Sequence, residues 1–394
     1  MNHKILYLPC FVYVISFSSL LLLYQIGWSD LFPKLSGFLL GFLFITILLA
    51  FLLTFLQKKT LKINVNNVDL SPLFIKKALY FIAIGYSLDF LYEFTIPIVK
   101  TFLVSSYSYD EFKGIPTLHS ILGTFNIFLS ILLADRYLAI KNRKAFFQFL
   151  LTLIPYVLIM NRGAFMIVFS AFVFLYLIRL KKINFISVFR SLGIVLLVLY
   201  LFGVVGNIRA EQTKDDKEYL LRVAGATDSF LDSGVPVEFY WSYIYIISPM
   251  GNLQNIILEK EDHFEISNIG IFATTQLFPD FISKRLVAIF GYEDEIEAFD
   301  PSYYLVTPLL NAPTVYYGSY LALGSFGLIF MYVVIMISSL VYPLLIKKDS
   351  KYYLTALASL NSIILLATFN NMWYAVGTIL LWPIIFSVAD RIKL

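Results

Sequence analysis

Asp89 and Glu93 stand four residues apart in an otherwise apolar stretch. On a helix that spacing puts both carboxylates on one face. A charge in hydrocarbon costs several kcal/mol, so two on one face imply a polar cavity or partners. Such a pair either takes protons from a hydroxyl or is a structural pair satisfied by hydroxyls or an arginine. His119 opens the next apolar stretch, after the loop Tyr109–Leu118, where it could act as base or hydrogen-bond donor, or sit as a solvated helix-end histidine. Glu238 is a further carboxylate at the head of an apolar run. Arg162, Arg209, Arg222 and Arg285 carry a different chemistry. Guanidinium is always charged and offers forked donors to phosphate oxygens, so arginines amid acidic surroundings suit a diphosphate, unless each pairs with a neighbouring carboxylate. His263, within Glu261–Glu265, reads as solvated surface, and Glu293, Asp294, Glu295 and Glu297 lack the spacing of a calcium loop. With one cysteine, Cys10, and no phosphate-binding glycine loop, zinc helix or Gly-x-Ser-x-Gly elbow, neither a metal site nor a cofactor is expected.

The elements that must position these groups are membrane helices. Of 394 residues, 59% are hydrophobic and 14% charged, with mean hydropathy +0.79. Soluble domains average roughly 45–50% apolar and about 25% charged. The formal charge of +4 hides a two-sided asymmetry, so nucleic acid is excluded as a partner and membrane lipid expected. Ten apolar stretches of spanning length fall at about 5–26, 35–56, 78–98, 118–139, 145–161, 164–180, 187–206, 315–346, 353–370 and 373–390. Lys and Arg concentrate in cytoplasmic connections. With both termini cytoplasmic, the inner connections hold Lys58, Lys59, Lys62, Lys76, Lys77, Lys141, Arg143, Lys144, Arg179, Lys181, Lys182, Arg190, Lys347, Lys348 and Lys351. The outer ones carry only Lys34, Lys100, Lys113 and Arg162 outside the long segment. The expected fold is therefore an all-α polytopic membrane protein of about ten transmembrane helices: residues 1–206 with seven, 207–314 as a large outer loop, and 315–394 with three. The long loop has 17 Asp or Glu against 7 Lys or Arg. Within it Pro236 and Pro249 bracket a run of about a dozen residues, too short to span, whose Tyr and Trp suit an interfacial or re-entrant helix; Ile269–Phe278 reads the same way. With Lys76 and Lys77 at the inner end, Glu93 lies about 24 Å further out, near the outer interface.

Several stretches together resemble the Wzy family of O-antigen and oligosaccharide repeat-unit polymerases. They are Phe112–His119, Asn161–Phe165, Tyr240–Asn252 with Tyr243, Ser248 and Pro249, and Asn311–Gly327 with Thr314, Tyr320, Gly324 and Gly327. Each is loose alone; their order and topological placement carry the resemblance, which runs from about residue 75 to 345. Two departures stand out: about ten helices where many relatives have eleven or twelve, and Leu323 where relatives often have aspartate. The resemblance implies a glycosyltransferase in a bacterial inner membrane. It would move a growing glycan from one undecaprenyl diphosphate carrier onto a lipid-linked repeat unit at the periplasmic face, with a separate chain-length regulator as partner. Arg162, Arg209, Arg222 and Arg285 would then hold diphosphate, and one of Asp89, Glu93, His119 and Glu238 would be the base. Tyr240, Trp241 and Tyr243 would stack on sugar rings, with Asn311 as a further sugar contact. An O-antigen ligase or a lipid-linked glycan flippase is the alternative.

Overall fold

In the computed structural model, residues 5–392 are described except 62, 64, 66–67, 105–106, 109–110, 181–188, 190–192, 194, 198, 202, 205–218 and 294–300. The described chain is helical, and its one bridge pairs Ser29 with Ala226. The main helices are α1 (Pro9–Gln25), α2 (Gly37–Thr60), α3 (Pro72–Tyr92), α4 (Pro97–Leu103), α5 (Leu118–Ile140), α6 (Arg143–Leu158) and α7 (Arg162–Arg179). They continue as α8 (Val237–Glu259), α9 (Asp280–Phe290), α10 (Tyr317–Leu345), α11 (Tyr353–Leu366) and α12 (Leu381–Ile392). Among the described residues six helical stretches are long and apolar enough to cross a membrane: α2, α3 with α4, α5, α7, α10, and Met372–Ile392 containing α12. Helices α1 and α11 are apolar but shorter. The expected span at 187–206 falls largely outside the described residues.

Local chemistry sets the ends. Ser36, Ser71, Asn142 and Asn161 cap α2, α3, α6 and α7, each accepting a backbone N–H with its side chain, and Pro72 and Pro97 begin α3 and α4 where no N–H is needed. Helix α12 runs parallel to α5, with Trp382 on Thr124 and Phe386 stacked on Phe128. Lys351 pairs with Asp390 at 2.9 Å and Lys348 reaches the Thr60 carbonyl, so the ends of α2, α10 and α12 lie together. One end of the bundle is thus rich in lysine and arginine, while the other holds the acidic segment.

That segment is woven into the bundle. Asp30 N–H donates to Gly225 O at 2.8 Å, Ser29 Oγ to Ala224 O at 2.6 Å, and Ser36 N–H to Gln254 Oε1 at 2.7 Å, tying it to the α1–α2 connection. The sequence reading stops a helix at Pro249, whereas α8 runs through it to Glu259. Proline has no N–H for the Tyr245 carbonyl, and Ser248 Oγ donates to that oxygen instead at 3.2 Å.

A second difference lies in the expected span 315–346. The chain from Pro301 enters the bundle, places Tyr316 OH 2.6 Å from Tyr13 OH, and returns as the first two turns of α10. Asn252, fully buried, donates to Leu310 and Ala312 carbonyls and accepts from Val306 N–H, satisfying this irregular backbone as a low-polarity interior demands. At Gly324 (φ 58°, ψ −143°) helix α10 breaks, and Asp262 Oδ1 accepts the Ser325 N–H at 2.8 Å, capping the outgoing half. A Cβ at Gly324 would collide with Asp262, and one at Gly327 with the Ser319 carbonyl, so the two halves of α10 fold against each other only through glycine.

Candidate functional site

Helix α3 delivers Asp89 to the acidic end of the bundle, completely buried, and α5 begins beside it. His119 Nδ1 lies 2.7 Å from Asp89 Oδ2, while Asp89 Oδ1 accepts the Ile115 N–H at 2.9 Å. One turn further out, Glu93 Oε1 accepts the Gly114 N–H at 3.0 Å. The connection from α4 to α5 therefore folds down over both carboxylates. It can do so because Gly114 takes φ +63°; a Cβ there would stand 2.7 Å from His119 Nδ1. Thr117 also has positive φ (71°), a strained state for a residue with a Cβ, and its hydroxyl accepts from Arg285 Nη2.

Phe112 and Tyr86 stand edge-on to the imidazole at 5.6 and 6.5 Å, and the side chain of His119 is 25% exposed. Beside a carboxylate Nδ1 holds the proton, which leaves Nε2 as the lone-pair nitrogen. Nε2 makes no hydrogen bond among the described residues. Desolvation first, then the charges of Glu111 and Glu93, push the Tyr107 hydroxyl up, while the Lys100 ammonium lies 4.4 Å over the same ring.

Arg285 is held over this mouth by a scaffold of polar contacts. Asp280, in the first turn of α9, accepts from Tyr374 OH at 2.5 Å and pairs with Lys284 at 2.8 Å. Asn371 donates to Gln276 O at 2.9 Å and accepts the Trp373 and Tyr374 N–H groups, so the start of the last spanning stretch fixes α9. The result is a buried carboxylate, an imidazole held against it, a second half-buried carboxylate under the covering loop, and an exposed guanidinium bonded to Thr117 two residues before the imidazole. An oriented imidazole with a free nitrogen can take a proton from a hydroxyl; a guanidinium beside it can hold an anionic leaving group. Among the described residues no three His, Cys, Asp or Glu side chains gather to hold a metal.

Protein-family models, curated proteins and solved structures all lack a match to this chain.

The remaining expected residues lie elsewhere. Arg162 is exposed at the head of α7, on the turn whose Met160 sulfur accepts from Thr101 of α4. Arg209 lies outside the described residues. Arg222 is exposed on the short helix Tyr219–Val223, and Glu238 is half-buried at the head of α8, whose first turns pack on Leu199 and Tyr200. Tyr240 and Tyr243 are buried: Tyr240 OH donates to Ala224 O at 2.9 Å, and Tyr243 OH accepts the Trp28 N–H at 3.1 Å. Tyr243 thus holds the α1–α2 connection, and Tyr240 the outer segment at Ala224. Trp241 is half-buried and stacks on Tyr245, and Asn311 is exposed in the re-entrant stretch. Thr117 lies within the stretch Phe112–His119, whereas Gln276, Asp280, Asn371 and Tyr374 are not among the residues that the sequence marks for chemistry. The polar pair Asn370–Asn371 inside an apolar region was the available signal for one of them.

Proposed function

We propose that this chain is a glycosyltransferase that joins undecaprenyl-diphosphate-linked repeat units into O-antigen or capsular polysaccharide. The lysine-rich end faces the cytoplasm and the acidic end the periplasm of a bacterial inner membrane, as the preference of Lys and Arg for cytoplasmic connections argues. The observation that carries the reading is the Asp89–His119 pair, 2.7 Å apart, with Arg285 over the same mouth.

In the reaction, His119 Nε2 takes the proton of the acceptor sugar's hydroxyl while Asp89 steadies the imidazolium. The acceptor oxygen bonds to the anomeric carbon of the donor glycan, and the bond from that carbon to the diphosphate oxygen breaks. The lipid diphosphate departs with the electron pair, its charge met by Arg285 and Arg162. Glu93 holds the Gly114 loop in place over the pair. Trp241, half-buried beside Tyr245, is the aromatic left to meet a sugar, and a chain-length regulator is the expected protein partner.

The test is a gel of surface polysaccharide from a deletion strain, with and without the gene restored. Collapse of the ladder to a single repeat unit on its anchor is expected. Absence of any repeat unit on the anchor would instead make the chain a ligase or flippase, and an unchanged ladder would remove it from glycan assembly.

A further inference from the structure

Between α2 and α10 the bundle carries a groove that no step of the reaction above uses, with a volume of about 360 Å³. Leu52 and Leu56 of α2 form one wall and Val333 and Ile337 of α10 the other, all four exposed, while Tyr332 and Met336 make a buried floor. Gln57, buried between the helices, ties them together. Its Nε2 donates to Ser339 O at 2.7 Å, and its Oε1 accepts the Cys10 N–H of α1 at 3.1 Å. Leu52 stands fifteen residues from the start of α2 at Gly37, or about 23 Å along the helix, so the groove lies toward the lysine-rich end.

Both helices are long and apolar enough to cross a membrane, so the groove opens on hydrocarbon. Lipid tails are as apolar as leucine, and an apolar lining by itself favours no lipid over another. The side chains at the end of the groove do discriminate. Lys59 follows Leu56 by three residues and continues the same face of α2. Lys348 Nζ donates to Thr60 O at 3.3 Å, which brings the chain after α10 across to that turn of α2. Lys58 and Lys347, both exposed, are the chain neighbours of these two, and Asp349 is the one acidic residue in 58–61 and 346–349. Four lysines against one aspartate thus stand where the groove meets the membrane surface.

We propose that the α2–α10 groove is a binding site for an anionic glycerophospholipid. One acyl chain lies between the walls, and the phosphate meets Lys59 and Lys348. Ammonium groups bind phosphate as compact point charges, and basic groups between membrane helices hold anionic headgroups. A zwitterionic lipid brings the same tail, but its own cation would stand among the lysines. Charge complementarity therefore selects the occupant, and the bound lipid braces the inner half of α10 against α2.

Native mass spectrometry of the intact chain, released from micelles holding equal amounts of phosphatidylglycerol and phosphatidylcholine, tests the site without any assay of activity. Phosphatidylglycerol is expected to be retained several-fold over phosphatidylcholine. Lys59→Gln with Lys348→Gln should bring the two lipids to parity. Lys141→Gln with Lys144→Gln, an equal loss of charge on the exposed α5–α6 connection, should leave the preference intact. Val333→Trp, which fills the groove and touches no lysine, should cut the retained phosphatidylglycerol. Parity in the unmodified chain, equal loss in both lysine pairs, or retention undiminished by Val333→Trp overturns the proposal. So does a lipid-free dimer, in which a second copy covers the groove. The glycan reading uses no part of this groove, so failure of one leaves the other in place.

Discussion

His119 Nδ1 and Asp89 Oδ2 meet at 2.7 Å where α5 begins against the outer turn of α3, and the N–H groups of Gly114 and Ile115 close over the carboxylates. Asp89 is inaccessible, His119 partly open, so the pair presents one chemical face, the imidazole. Asp89→Asn keeps the shape and removes the charge that fixes the imidazole tautomer. Chain extension by purified protein is expected to slow by about 10²–10⁴-fold, as is usual for a lost general base. His119→Gln should cost the same, and the double variant little more, because the two act as a unit. Additive losses in the release of lipid diphosphate would separate their roles.

Arg285→Lys retains the charge and loses the fork. Hydrogen bonds to charged groups are worth roughly 1.5–3 kcal/mol, so Arg285→Gln should lower kcat/KM by about 10–150-fold, with Lys intermediate. Steady-state kinetics on the lipid-linked donor reads this directly. Equal rates for all three residues would place the diphosphate elsewhere.

At the opposite end, Arg179 Nε lies 2.6 Å from Asp135 Oδ1, with Asp135 buried and its other oxygen unpartnered. Arg179→Met strands a buried carboxylate and is expected to destabilise the fold by about 3–5 kcal/mol. Asp135→Leu with Arg179→Met should regain most of the loss. Reversible unfolding in detergent measures both, and a double variant no more stable than Arg179→Met alone would contradict the pairing.

The break in α10 depends on Gly324. Alanine there meets both the positive φ and the Asp262 carboxylate, for a cost of about 1–3 kcal/mol from backbone strain alone. Asp262→Asn keeps an acceptor for the Ser325 N–H and should cost less. Melting of the detergent-solubilised protein orders the two; a Gly324→Ala variant as stable as the parent would mean that the helix can straighten.

How much of this was legible in the sequence varies with the physics involved. The four-residue spacing of Asp89 and Glu93 and the charge asymmetry of the connections are local signals, and they survive folding. That a loop glycine would draw His119 onto Asp89 depends on Gly114 meeting a helix 25 residues earlier, which no local pattern records. Pro249 misleads because the loss of its N–H is made good by a neighbouring serine. The stretch 315–346 reads as one apolar span because hydropathy registers composition and not the dihedral angles of Gly324. Tyr240, Trp241 and Tyr243 share one aromatic signature, yet two of the three are buried clamps, since residue type alone does not distinguish a ring for sugar from one for the core.

The decisive measurement is extension of a purified lipid-diphosphate-linked repeat unit by the protein in nanodiscs, followed by mass spectrometry of the lipid-linked products. Chains of two or more units, with one lipid diphosphate released per new linkage and both lost in Asp89→Asn, are the expected result. A repeat unit recovered unchanged, or products identical for the parent protein and Asp89→Asn, would contradict glycosyl transfer at the Asp89–His119 pair.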